Sequence, residues 1–238
     1  MERSLTLPAL ILGAGITLGL GFIGHSISDT VTNLKALDRT VSVKGLAEKE
    51  VMANIAIWPI RFNEVSNDLP ALYDTVQQKS DKVVAFLKQQ GFSDEEISLS
   101  LPAIEDRTAQ GYSDPNLKYR YLAKVTVSLY TPKVDKLLEA RKQIAALARE
   151  GIAIGGNEYE SRPEFMYTEL NNIKPAMVQE ATQNAREVAE KFAKDSNSSL
   201  GKIKNASQGQ FIITDRDSNS PHIKNVRIVS TVTYYLSD

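Results

Sequence analysis

No Asp, Glu, Lys or Arg occurs between Arg3 and Asp29, and this uncharged run constrains the chain more than any other feature. As a helix, Leu5 to Ile27 is long enough to cross a hydrocarbon core of about 30 Å. Thr6 and Pro8 mark a helix start, because proline in a first turn gives up an N–H that has no partner there anyway. Gly13, Gly15, Gly19, Gly21 and Gly24 weaken a helix in water, but in lipid the backbone must bond to itself and glycine is tolerated. Gly15 and Gly19 form a GxxxG pair, the membrane-helix packing candidate of this chain; chance occurrence in a glycine-rich segment explains the pair equally well. Two readings of residues 1–28 stay open. One is an uncleaved anchor. The other is a signal sequence cut near Gly24 and Ser26, against which stand the length of the run and the absence of an A-x-A pattern. In both, the amino end and Arg3 stay in the cytosol and the rest of the chain lies outside.

Residues 29–39 read as a linker, and the remainder, 40–238, as one α+β domain with two pseudo-repeated lobes. Val41, Val43 and Gly45, then Val51, Ala53, Ile55 and Ile57, alternate with other residues and predict two strands forming a hairpin, with Pro59 placing the second at an edge or bulge. From Leu69 the positions Leu72, Tyr73, Val76, Val83, Val84 and Leu87 give a helical stripe that Gly91 ends. Ile97 to Leu101 and Tyr119 to Leu129 predict strands joined by a polar loop from Glu105 to Asn116. Thr131 and Pro132 open a second helix with Val134, Leu137, Leu138, Ile144, Ala145 and Ala148 inward, ended by Gly151. Weak strands at Ile152 to Ile154 and Glu164 to Leu170 flank a Gly155-Gly156-Asn157 turn. A third helix begins near Pro175 with the stripe Met177, Ala181, Ala185, Val188, Ala189 and Phe192. Gln210 to Thr214 and Val226 to Leu236 complete the chain as strands.

YRYLAKVTVSLY at 119 to 130 lays over VRIVSTVTYYLS at 226 to 237, matching Arg120 to Arg227, Val125 to Val232, Thr126 to Thr233 and Leu129 to Leu236. A similar offset pairs Phe86 and Lys88 with Phe192 and Lys194. A helix followed by two strands is therefore expected twice, although strands of one polarity pattern also match by convergence, and the expected fold class is α+β: antiparallel sheets covered by helices, with a duplicated helix-strand-strand unit behind one N-terminal transmembrane helix.

The chemistry available is narrow. With 28 basic and 29 acidic side chains, the net charge of -1 leaves no broad footprint for nucleic acid, so no nucleic-acid partner is expected. The absence of cysteine removes thiolate catalysis, thiolate zinc sites and disulfides. His222 is the one histidine of the extramembrane part, in a turn from Asp215. Asp215, Asp217 and Asn219 match the first positions of a calcium loop, but Ser220 replaces its glycine and Val226 its bidentate glutamate, so a solvated turn is expected. Glu158, Glu160 and Glu164 are surface strand positions on this reading rather than a catalytic carboxylate group. The glycines at 151, 155 and 156 lack the lysine and hydroxyl of a phosphate-binding loop. Tyr112, Tyr119, Tyr121 and Tyr130 lack the surrounding basic patch of a base-stacking surface. No catalytic, cofactor-binding or metal residue is assigned.

VSVKGLAEKEV at 41 to 51, the helix that follows, the YRYLAKVTVSLY strand and AREVAEKFAKDSNSSLGKI at 185 to 203 together resemble the SIMPL-domain family, over about residues 40 to 236. The markers are Val41, Val43 and Gly45, then Ala181, Ala185 and Arg186, then Leu200 and Gly201. Ala47 and Glu48 stand where a second glycine often follows the first. The resemblance implies a bacterial envelope protein, membrane-tethered through residues 5–27 with its domain in the periplasm or secreted there after cleavage. It also implies self-assembly into a homo-oligomer, such as a ring, a link to stress tolerance, and no catalytic residues or cofactors. A periplasmic small-ligand-binding or chaperone-like module is the alternative reading.

Overall fold

The computed structural model describes residues 13, 15–23, 25, 39–109, 117–155 and 161–237. Nine strands are named along the described chain: β1 (Thr40–Met52), β2 (Ile55–Ser66), β3 (Ile97–Leu99), β4 (Ala103–Asp106), β5 (Tyr121–Thr131), β6 (Glu164–Met166), β7 (Ser199–Gln208), β8 (Ile212–Asp215) and β9 (Ile223–Ser237). The helices beyond the amino-terminal region are α1 (Leu69–Gln89), α2 (Val134–Lys142), α3 (Ala145–Arg149) and α4 (Leu170–Asp195). The fold is α+β with two antiparallel sheets. One runs β3-β5-β2-β6 with β4 also on β5, and the other β1-β9-β7 with β8 also on β9. The expected hairpin of the first two strands does not form. β1 pairs with β9 and β2 with β5, because the chain changes sheets at Ala53 and Asn54.

Two compact units divide the chain, one of residues 1–48, 174–212 and 227–238, the other of residues 49–173 and 213–226. In the second unit, β2 and β5 pair in register from Ala56 opposite Thr131 to Ser66 opposite Tyr121. Their period of two turns Ala56, Trp58, Ile60, Phe62, Ala123, Val125, Val127 and Leu129 to one face, where α1 lays Leu72, Val76, Val83, Phe86 and Leu87 on them. Asp68 starts α1 by accepting the Ala71 N–H at 2.9 Å. The helix ends at Gly91, whose φ of 89° suits glycine, while the Phe92 N–H reaches back to the Leu87 carbonyl at 3.2 Å. Pro59 lies where only the outer side lacks a continuous partner. Arg61, two residues on and on that same side, takes the Gly155 N–H.

The second predicted helix is broken into α2 and α3. Bonds from Gln143 to Ala140 and from Ile144 to Arg141 tighten the chain there, and the phase shifts. Leu147 is consequently buried, while Ala145 and Ala148, expected inward, are exposed. The third helix starts five residues before Pro175, which lies inside α4. Residues 152–154 contribute only an isolated bridge, Ile154 with Phe62, and Glu164 to Leu170 shortens to β6. The turn at Gly156 and Asn157 and most of the loop from Glu105 to Asn116 lie outside the described residues.

In the first unit, α4 covers β1 and β9 with a row of small side chains, Ala181, Ala185, Ala189 and Ala193 behind Met177. The small row lets backbone meet backbone. A Cβ built on Gly45 of β1 would stand 1.9 Å from the Ala181 carbonyl oxygen and 2.4 Å from the Ala185 nitrogen. Val43, Ala185, Ala189, Val232 and Tyr234 form the core of this unit, flanked by Val41 and Leu200. The row differs from the expected stripe: Val188 and Phe192 point outward. β7 was not foreseen, since nine of its ten residues are exposed and no alternation betrays it. Val226 to Leu236 is a central strand between β1 and β7, not a free edge.

Both sheets share one connectivity. A strand, a long helix and two further strands, β2-α1-β3-β5 and β1-α4-β7-β9, are arranged third, fourth, first in space. In each, the fourth strand lies between the first and the third.

Replacing Gly45 by alanine should lower stability by about 3 kcal/mol, at the upper end of overpacking costs, because the new methyl meets helix backbone that cannot rotate away. Gly155→Ala, where an added Cβ meets nothing within 4 Å, should shift stability by less than about 1 kcal/mol. Urea unfolding of the two variants against the parent measures both.

Candidate functional site

The residues singled out from the sequence are scattered. Gly15 and Gly19 are helical, and a Cβ added to either meets nothing within 4 Å. Among the described residues no helix is long and apolar enough to cross a membrane; residues 4–12, 14, 24 and 26–28 of the uncharged segment, and most of the linker, 29–38, lie outside them. The His222 ring meets Phe165 edge-on at 5.9 Å, and its carbonyl accepts the Ala53 N–H. Asp217 accepts the backbone N–H groups of Asn219 and Ser220 and the Arg216 guanidinium, and the Arg216 bond leads the causes that lower its pKa. Asp215 pairs with Lys224, which β9 buries. The three calcium-loop positions thus make a turn, and no group of three or more His, Asp or Glu among the described residues could hold a metal. Glu158, Glu160 and Tyr112 lie outside the described residues. Glu164 is exposed on β6.

One ionisable cluster escaped the sequence analysis. Glu96 closes a single 3-10 turn after α1, where only 11% of its side chain is exposed. It accepts from Lys133 Nζ at 2.7 Å, from Thr131 Oγ1 at 2.5 Å and from the Ser93 N–H at 2.9 Å. Desolvation pushes its pKa up. The bonds from Lys133, the Ser93 N–H, Thr131 and the Ser93 hydroxyl outweigh that and bring it down to about 2. Lys133 also donates to the Gly91 carbonyl at 3.3 Å, so this cluster ties the end of α1 to the β5-α2 connection. Each polar side chain in it has a partner, which suits a clamp.

The surface with unspent capacity is on the first unit. β1 is an outer strand among the described residues, and it keeps one antiparallel register against β9: the Leu236 N–H meets the Arg39 carbonyl and, fourteen residues along β1, the Ala53 N–H meets the His222 carbonyl. Odd-numbered residues therefore turn their backbone groups to β9 and even-numbered ones turn theirs outward. The Leu46 carbonyl, one of the outward set, accepts from Asn184 Nδ2 of α4 at 2.7 Å. Asn184, Val188 and Phe192 are spaced by four and form one row along the helix. The row that begins on the outer edge of β1 thus continues as apolar surface, with Val188 36% and Phe192 56% exposed. An open strand edge beside large apolar side chains can accept another strand by backbone pairing and cover the side chains together. β7, the opposite edge, is blunted by Lys202, Lys204 and two register shifts.

The family signature resolves into packing. Val41, Val43, Gly45, Ala185 and Leu200 all lie in or against the core under α4, and Gly201 lets β7 approach the Tyr235 carbonyl, 3.0 Å from an ideal Cβ. A family model described as SIMPL, protein of unknown function (DUF541), matches residues 41–228. No curated protein matches the chain at a significant level.

The Glu96 clamp has a signed pH dependence. Its folded pKa of about 2 lies below the ordinary 4.5, so its contribution is complete above about pH 4.5 and is lost as pH falls through 2. The full contribution is of order 3 kcal/mol. Glu96→Gln should destabilise the protein by about 1–3 kcal/mol at pH 7, with the difference shrinking between pH 4.5 and 2. Urea unfolding of parent and variant across that range checks it.

Proposed function

The chain belongs to the SIMPL family, and from that premise we propose that it is a non-enzymatic, membrane-tethered protein of the bacterial cell envelope that assembles with copies of itself. The observation that carries the assembly is the outer edge of β1 with Val188 and Phe192 beside it: backbone groups and apolar area that a second copy would cover. Two copies that paired β1 edge to edge would form a two-fold dimer, whereas a closed ring requires a second, different patch to meet that edge under a rotation that closes. The uncharged run from Leu5 to Ile27 supports tethering in the inner membrane, with the domain in the periplasm. Gly15 and Gly19 would let anchors pack closely within the bilayer. The shared connectivity of the two sheets supports a duplicated helix-strand-strand unit in residues 40–238, and the envelope location fits a role in stress tolerance.

Light scattering of the full chain in mild detergent, beside the chain truncated to residues 29–238, should show oligomers in both. Phe192→Glu together with Val188→Glu should move them to monomer without lowering the melting temperature by more than a few degrees, because both side chains are surface-exposed. Carbonate extraction should leave the full chain in the membrane fraction. Monomers in both forms at high micromolar concentration would overturn the assembly reading and favour a small-ligand-binding module. A mature amino terminus near Ile27 would replace tethering by secretion.

A further inference from the structure

The second unit has a cleft of about 700 Å³ lined by Arg141, Ser161, Arg162 and Asn219, with Ile154 and Pro221 as apolar wall. Arg141 lies in the last turn of α2, Arg162 just before β6, and Asn219 in the turn between β8 and β9. No carboxylate lines it among the described residues.

We propose that this cleft binds a phosphomonoester, with the guanidinium groups of Arg141 and Arg162 and the Ser161 hydroxyl donating to its phosphate oxygens. Three observations lead there. Arg162 is already fixed, since its Nη2 donates to the Ser218 carbonyl at 2.6 Å and leaves the rest of the fork available. The Ser161 hydroxyl oxygen is buried without a hydrogen-bond partner among the described residues, which costs stability unless a ligand supplies one. The Arg141 side chain has no hydrogen-bond or ion-pair partner among the described residues, and desolvation first, then the charge of Arg162, push its pKa down. Two arginines that repel each other over an unpaired hydroxyl lack a common acceptor.

The donor set selects the ligand class. A phosphomonoester carries close to two negative charges and three acceptor oxygens, which answers two guanidinium groups and one hydroxyl. A carboxylate carries a single charge and leaves one of the two guanidinium charges unbalanced. The cleft is far larger than inorganic phosphate, so the organic part of an ester would occupy the remainder against Ile154 and Pro221. The inference is independent of the assembly reading, whose surface belongs to the other unit.

Calorimetric titration of the full chain in mild detergent with phenyl phosphate, inorganic phosphate and acetate tests it. Phenyl phosphate should bind at least about tenfold more tightly than acetate, and Arg141→Gln should weaken it by about tenfold or more, as loss of one charge-assisted bond implies. Arg141→Lys should weaken it less, and Lys136→Gln, outside the cleft, should leave it unchanged. Arg141→Gln is the deciding variant because it breaks no bond to a described residue, and an unchanged circular dichroism spectrum and melting temperature would show that it folds. Absence of phenyl phosphate binding up to about 10 mM, equal binding of acetate, or unchanged binding in a folded Arg141→Gln protein would each overturn the proposal.

Discussion

The first unit depends on how closely α4 lies on β1. At Gly45 the helix backbone itself, the carbonyl of Ala181 and the nitrogen of Ala185, occupies the space where any other residue would hold its Cβ. Close approach brings many weak dispersion contacts into range at once, which compensates for the little apolar area each alanine buries. The second unit solves the same helix-on-sheet problem by the opposite means, filling the gap with Phe62, Ile60, Leu72, Leu87 and Leu129. A methyl group too many is therefore most costly in the first unit and a methyl too few most costly in the second.

The alanine row has a second consequence. Because Ala181, Ala185, Ala189 and Ala193 complete the buried face of α4, the neighbouring row of Asn184, Val188 and Phe192 is not needed to hold the helix down. Asn184 spends its amide on the Leu46 carbonyl, and the two apolar members remain at the surface beside an outer strand. A helix that satisfied its sheet with larger side chains would have drawn the adjacent rows inward.

Charge is handled locally across the described chain. Arg120 holds Asp106 through a bidentate pair with its closest contact at 2.7 Å, while Arg227, matched to Arg120 in the internal sequence echo, faces Glu48 at 3.5 Å. Each arginine in that matched pair answers a carboxylate within its own unit. Glu96 and Lys133, Asp215 and Lys224, and Arg216 and Asp217 likewise find partners nearby. Arg141 departs from this pattern, facing a like charge across the cleft.

Much of this was legible in the residues. Alternation from Tyr119 to Leu129 and from Val226 to Leu236, the helical stripe from Leu69 with Gly91 at its end, and the markers Gly45, Ala181 and Ala185 all report local geometry, since period and terminal chemistry depend only on near neighbours. What tertiary structure decided is which faces meet. β1 pairs with β9, whose partner residues lie about 180 positions away, rather than with the adjacent β2. β7 forms because β9 offers it an edge, although its own exposed residues carry no alternating pattern. Val188 and Phe192 share the helical period of the buried row and stay outside because the alanines suffice. Arg141, Ser161, Arg162 and Asn219 converge only once α2 and the β8-β9 turn are in place, for a period tells which side of an element is apolar and nothing about what distant segment comes to lie against it.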